Sequence, residues 1–218
     1  MSKSIKFAVI LSGCGVYDGT EIIEAVLTLL AIEKNNCTFN VLAPDIEQMH
    51  VVNHLTGQEM NEKRNVLVEA ARIARSDIRS LENFNPDDYD ALILPGGYGA
   101  GKNLSDYEIK GIDFKINEWV ENSIQQMHNQ RKPIGALCIS PVILAKIFGD
   151  IQLTIGKDEE TISHIQKLGA LHIKTNSGNI ATDKKNKIVS APCFMLNAGI
   201  TDIEKETDQV VKALIEMS

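Results

Sequence analysis

Positive charge is scarce in this 218-residue chain, where 22 lysines and arginines face 29 aspartates and glutamates for a formal charge of −7. Such a balance repels phosphate backbones and excludes nucleic acid as an expected partner. Long apolar runs are also lacking. No stretch approaches the roughly 20 residues that span a bilayer. Met1-Ser-Lys-Ser-Ile5 has neither a signal-peptide core nor an Arg-rich transit pattern, so the sequence predicts a cytoplasmic protein with no membrane association. The four cysteines, at 14, 37, 138 and 193, form no C-x-x-C pair, and the histidines at 50, 54, 128, 164 and 172 form no H-E-x-x-H. A disulfide framework and a metal site are therefore not expected. Gly13-Cys-Gly15 lacks the third glycine of a dinucleotide fingerprint, and no Gly-Lys-Ser/Thr follows Gly96-Gly97, so no cofactor is expected either.

What is present is an ordinary share of core-forming residues, 44% hydrophobic and 23% charged, arranged as alternating strands and helices. Short apolar runs at 5–11, 39–43, 91–95 and 134–137 read as buried strands. Weaker strand patterns fall at 151–155, 180–182 and 187–190, and Val51–Leu55 reads as a short edge strand. Helical spacing of apolar residues predicts helices after Asp18-Gly-Thr-Glu21, over 64–75, 112–128, 141–148 and 159–168, and from 201 to 217. Asp18 is the expected N-cap of the first, with Glu21 completing a capping box. No repeat or linker interrupts the pattern. The expected fold is a single α/β domain over 1–218, a doubly wound, mostly parallel sheet sandwiched by helices. Ligands of such sheets bind outside the carboxyl ends of the strands, which points to the loops at 12–20, 95–101 and 138–141.

In Gly135-Ala-Leu-Cys138-Ile-Ser140-Pro141 a thiol stands where the chain turns from strand to helix, flanked by small residues. That is the construction of a nucleophile elbow, in which the following N–H, here of Ile139, and the helix dipole favour a thiolate and a nearby oxyanion. Gly97, after Leu94-Pro95-Gly96, is a second candidate oxyanion donor because no Cβ blocks approach to its main chain. Glu21 and Glu24, three apart, share a helix face near the elbow, and Glu24 lies deeper, where burial would raise its pKa toward that of a proton shuttle. The spacing leaves open which of the two faces the thiol. His172 is a candidate partner for Cys138, and His54 a weaker one. Cys14 is a possible second thiol at the strand ends, and Tyr17 and Tyr98 are candidates for the pocket mouth.

Leu11-Ser-Gly-Cys-Gly-Val-Tyr-Asp-Gly19, Val51-Val-Asn-His-Leu-Thr-Gly57, Leu94-Pro-Gly-Gly97, Lys102-Asn-Leu-Ser105 and Cys138-Ile-Ser-Pro141 together resemble the ElbB-type glyoxalases. These belong to the class I glutamine-amidotransferase-like superfamily, which also holds the PfpI-type proteases. The resemblance runs from about residue 5 to the end. It implies a flavodoxin-like sandwich, a homodimer, an indirect link to isoprenoid biosynthesis, and glyoxalase activity on a small dicarbonyl without glutathione or metal. It assigns the nucleophile to Cys138, the oxyanion glycine to Gly97 and the carboxylate beside the thiol to Glu24. Three positions depart from the superfamily's pattern. Ile139 stands where the proteases have histidine, Ser140 where glycine is common, and no His-x-Glu pair lies near the C-terminus. The sequence therefore predicts a glyoxalase, or a deglycase using the same steps. A non-enzymatic redox or stress protein with an oxidisable Cys138, and a Cys-His hydrolase of small molecules, are the rival readings.

Overall fold

The structure is a computed structural model and describes residues 4–218. Strand β1 (Lys6–Ile10) leads through a glycine-rich loop into α1 (Ile22–Lys34), followed by β2 (Thr38–Ala43), α2 (Val66–Ile73) and β3 (Ile78–Ser80). Next come β4 (Ala91–Leu94), the short helices α3 (Tyr98–Lys102) and α4 (Tyr107–Lys110), α5 (Glu118–Asn129) and β5 (Ile134–Leu137). The chain continues with α6 (Pro141–Phe148), β6 (Gln152–Leu153), α7 (Glu159–Lys167), β7 (Leu171–His172), β8 (Ala181–Asp183), β9 (Ile188–Ala191) and α8 (Ile200–Met217).

Seven strands form one sheet in the order β3-β2-β1-β4-β5-β9-β8, parallel except for β8 against β9. The central strands are apolar on both faces because both are covered. Phe7 and Val9 of β1 pack in the layer that includes α1, α2 and α8, and Ala8 and Ile10 in the layer that includes α5 and α6. This is the flavodoxin-like sandwich expected from the sequence.

Several local expectations are corrected. Glu21, not Asp18, caps α1: its own carboxylate accepts from the Glu24 N–H at 2.6 Å. Asp18 is buried and accepts from the Val52 N–H at 2.7 Å, tying the first loop to a distant one. Val51–Leu55 is no edge strand; its Val52 makes only an isolated bridge to Glu59. The edge strand beside β2 is β3, which at three residues is too short to register as a pattern. The helix expected over 112–128 begins at Glu118, where the Asn117 side chain accepts from the N–H groups of Trp119 and Val120. The apolar residues before it belong to a separate turn. Finally, β6 leaves the main sheet and pairs with β7 in a two-stranded ribbon.

Candidate active site

Cys138 follows β5 directly and has φ of +59°, a left-handed backbone that costs an L-residue about 1–2 kcal/mol. The surroundings hold it there: its N–H donates to Ala191 O of β9 at 2.9 Å, and Pro141 begins α6 three residues on. Ser140, at φ of −56°, needs no glycine. Its buried hydroxyl donates to Pro95 O at 2.9 Å and ties the elbow to the Pro95-Gly96-Gly97 turn. Serine at this position is thus a fastening between two loops.

Glu24 sits in the first turn of α1, fully buried. Its Oε2 accepts from the Gly96 N–H at 2.9 Å and its Oε1 from the Phe194 N–H at 3.3 Å, and its carboxyl group interacts electrostatically with the Cys138 thiol. The helix N-terminus and both N–H groups favour the charged form. Burial outweighs them, with the nearby Glu21 acting in the same direction, and the Glu24 pKa is pushed up to about 8. Burial and the neighbouring carboxylate likewise raise the Cys138 thiol well above its ordinary value, against the pull of the Gly97 and Ile139 N–H groups. The sequence expectation of a standing thiolate is corrected accordingly. At neutral pH the pair is largely protonated, and its first ionisation leaves one proton shared between sulfur and carboxyl.

Two glycines make this approach possible. A Cβ on Gly96 would overlap that of Cys138 and lie 2.8 Å from Glu24 Oε2 and 3.0 Å from Sγ. Gly97 has φ of +99°, and a Cβ there would lie 2.5 Å from Gly19 O.

The thiol lies at one wall of a cavity of about 510 Å³. Ile139, Gly97, Glu21 and Tyr98 are among its lining residues. Glu24 lies outside the lining, its Oε2 and the Cys138 sulfur both against Gly96, while Glu21 caps α1 and is among the lining residues. Other expected residues stand apart. Cys14 is outside the lining, half-buried near Glu69, Arg72 and Asp18. His172 accepts from the Ile155 N–H at 3.3 Å, away from the cavity. His54 accepts from the Tyr17 N–H at 3.3 Å and packs against the Tyr17 ring, 5.1 Å between centroids. Tyr17 itself sits behind Tyr98, at 6.4 Å, rather than in the lining.

The opposite wall was not anticipated. It comes from α4 and α7, which supply Tyr107, Glu108, Glu160, Thr161 and His164, with Asp158 just before α7. Tyr107 Oη and His164 Nδ1 are 2.9 Å apart. Asn103 is a further missed residue: its amide donates to Ser12 O and Asp18 O, both at 2.8 Å, and accepts from the Met49 N–H at 3.0 Å. Its sequence signals were its place after the Gly-rich α3 and within Lys102-Asn-Leu-Ser105, one of the motifs that carry the resemblance.

The strand order, the elbow and the Pro-Gly-Gly turn are joined by a direct comparison: the DJ-1/PfpI family model matches residues 14–148, from the first loop through α6. The chain belongs to the DJ-1/PfpI family. The fold is accordingly the class I glutamine amidotransferase-like one. A human protein named glutamine amidotransferase-like class 1 domain-containing protein 3, mitochondrial, is 40% identical, covering 98% of this chain and 83% of its own length. A crystal structure of an isoprenoid biosynthesis protein with an amidotransferase-like domain, from Ehrlichia chaffeensis, superposes with a TM-score of 0.91 at 33% identity, covering 97% of this chain and 99% of that one. A shorter match, 31% identical over 65 residues, or 30% of this chain and 32% of the relative, is to a Pyrococcus abyssi protein named a deglycase. The cytoplasmic expectation is overturned, because relatives similar over nearly the whole chain are mitochondrial by name. Charge and the character of the first residues were too little to place the protein in a compartment.

Proposed function

We propose that this protein is a glyoxalase acting without glutathione or metal, converting glyoxal to glycolate, or methylglyoxal to lactate, through a cysteine hemithioacetal. The observation that carries this reading is the placement of Cys138 Sγ and the buried Glu24 carboxyl on either side of Gly96, whose Cβ would lie 3.0 and 2.8 Å from them, with an open cavity in front of the thiol.

In the singly ionised pair, Cys138 attacks the aldehyde carbon, and its proton passes to the alkoxide oxygen by way of Glu24. The developing oxyanion is held by the Gly97 and Ile139 N–H groups. Glu24, again a carboxylate, removes the hydrogen from the carbon bonded to sulfur, giving an enediolate. It returns that proton to the adjacent carbon while the hydroxyl proton of the sulfur-bearing carbon passes to the neighbouring oxygen, leaving a thioester of the 2-hydroxy acid. Water then cleaves the C–S bond, releasing the acid and restoring the thiol. Glu24 is suited to both transfers because a carboxyl with a pKa of about 8 both takes and gives a proton near neutral pH. Adducts of these aldehydes with amines or thiols enter by the same route, so deglycation is a second expression of this chemistry, in keeping with the relative named a deglycase. The rival redox-sensor reading calls for a thiol with a lowered pKa, and here burial and Glu24 act the other way.

The test is a product assay with glyoxal under glutathione-free, chelated conditions. Wild type forms glycolate, while Cys138→Ala and Glu24→Gln do not. Glycolate formed by either variant at the wild-type rate refutes the mechanism.

A further inference from the structure

The cavity is larger and more acidic than a simple dicarbonyl requires. A molecule of five heavy atoms displaces three or four waters' worth of space, about 100 Å³. The cavity offers about 510 Å³, so most of it lies beyond the reacting carbons. Four carboxyl groups are among the lining residues: Glu21, buried at the cap of α1, Glu108, half-buried, and Asp158 and Glu160, exposed to solvent. Among the described residues no lysine or arginine lines it. Lys102, which acts electrostatically on Glu108, is turned instead to Tyr17 O at 2.8 Å and lies 5.4 Å from the centre of the Tyr98 ring. Its position marks this rim as ground that suits a cation.

The carboxyl groups come from separate segments: Glu21 from the cap of α1, Glu108 from α4, Asp158 and Glu160 from the start of α7. Convergence on one concavity with a nucleophile at its wall gives their charge a direction, because low-dielectric walls focus a single-sign field along the cleft. Burial raises the pKa of both Glu21 and Glu108, against the pull of the α1 N–H groups on the first and of Lys102 on the second.

We infer that the site selects carbonyl compounds carrying an ammonium or other cationic group beyond the reacting carbons, and rejects those carrying a carboxylate there. This inference rests on the assignment of Cys138 as a nucleophile open to the cavity, and it gives that site its substrate class. The carboxylates of the α4–α7 wall hold the distal cation while Cys138 and Glu24 act on the carbonyl.

The probe is the rate at which Cys138 is modified by three methanethiosulfonates with similar short tails, one ending in an ammonium, one neutral and one in a sulfonate. Each rate is normalised to that with a free small thiol and read at Cys138 by peptide mass mapping. The expected result is a cationic reagent about tenfold or more faster than the anionic one, with the neutral reagent between. High salt compresses that ratio in the wild-type protein, and so does the triple substitution Glu108→Gln, Asp158→Asn, Glu160→Gln. The choice of asparagine keeps an acceptor for the Thr161 N–H, which Asp158 caps at 2.9 Å. Equal rates, a faster anionic reagent, or no modification of Cys138 by any of the three overturns the inference. Because modification needs no turnover, the two readings fail separately. A cation preference in a protein that converts no carbonyl compound supports the charge selectivity and removes the glyoxalase. Glyoxal turnover without a charge preference does the reverse.

Discussion

The buried Glu24 should make the protein lose stability as pH rises, opposite to the behaviour of a carboxylate held by a salt bridge. Its pKa is 4.5 when exposed and about 8 in the fold. The folded state therefore keeps a proton that the unfolded chain releases between those values. The stabilisation is fully present below pH 4.5 and is lost as pH climbs through about 8. At about 1.4 kcal/mol per pH unit over that window, the Glu24-linked loss is on the order of 5 kcal/mol, a large part of a typical domain's stability. Glu21, Glu108 and Glu206 are also raised and add to the slope, so the difference from a Glu24→Gln variant isolates the effect. Glutamine keeps an acceptor for one of the Gly96 and Phe194 N–H groups but turns its amide toward the other, which lowers stability at every pH and leaves the slope as the informative quantity. Urea unfolding at pH 5 and pH 8 on both proteins is the measurement. Wild type is expected to lose several kcal/mol more than Glu24→Gln between the two. Parallel losses would show that Glu24 is ionised across the range and would refute the account of its burial.

The same pair sets the pH dependence of turnover: glycolate formation should rise as pH approaches about 8, where the first of its two protons leaves, and a rate flat from pH 6 to 9 would contradict this. Gly96→Ala, whose Cβ would overlap Cys138 and crowd Glu24, should lower stability by about 3 kcal/mol and abolish glycolate formation; an active, equally stable Gly96→Ala protein would disprove the close approach. The homodimer implied by family resemblance predicts a solution mass of twice 24.0 kDa by light scattering, against a single-chain mass if the protein is a monomer.

The parts of this molecule that could be read from the sequence are those whose causes are local. Strands β1, β4 and β5 are continuous apolar runs because both faces of the sheet are covered. Cys138 stood out because strand, small residues and proline follow one another within eight positions. Glu24 was legible as an acid on a helix apolar nearly all round. The α4–α7 wall was not, since Glu108 and Glu160 lie more than fifty residues apart, the first in a stretch with no helical pattern and the second a charge on an amphipathic helix. Only the packing of these short helices over the elbow turns them into one surface. Asp18 misled for the opposite reason: its spacing to Glu21 imitates a helix start, whereas its carboxylate serves Val52 in a loop no local pattern connects to it. His172 and Cys14 were named by residue type and by position at a strand's start or end, and neither fixes the direction of a side chain.

Asn103 gathers three strangers, Ser12, Asp18 and Met49, on a single amide, which spends both its donors and one oxygen lone pair on them. The rim of the cavity is therefore wired to the long excursion between β2 and α2, far from the thiol along the chain. A protease nick near the exposed Leu55 would spare every core strand yet slacken Met49, and with it the anchor of the first loop. Damage on the protein's periphery would thus register first as lost chemistry, while the fold around it still stood.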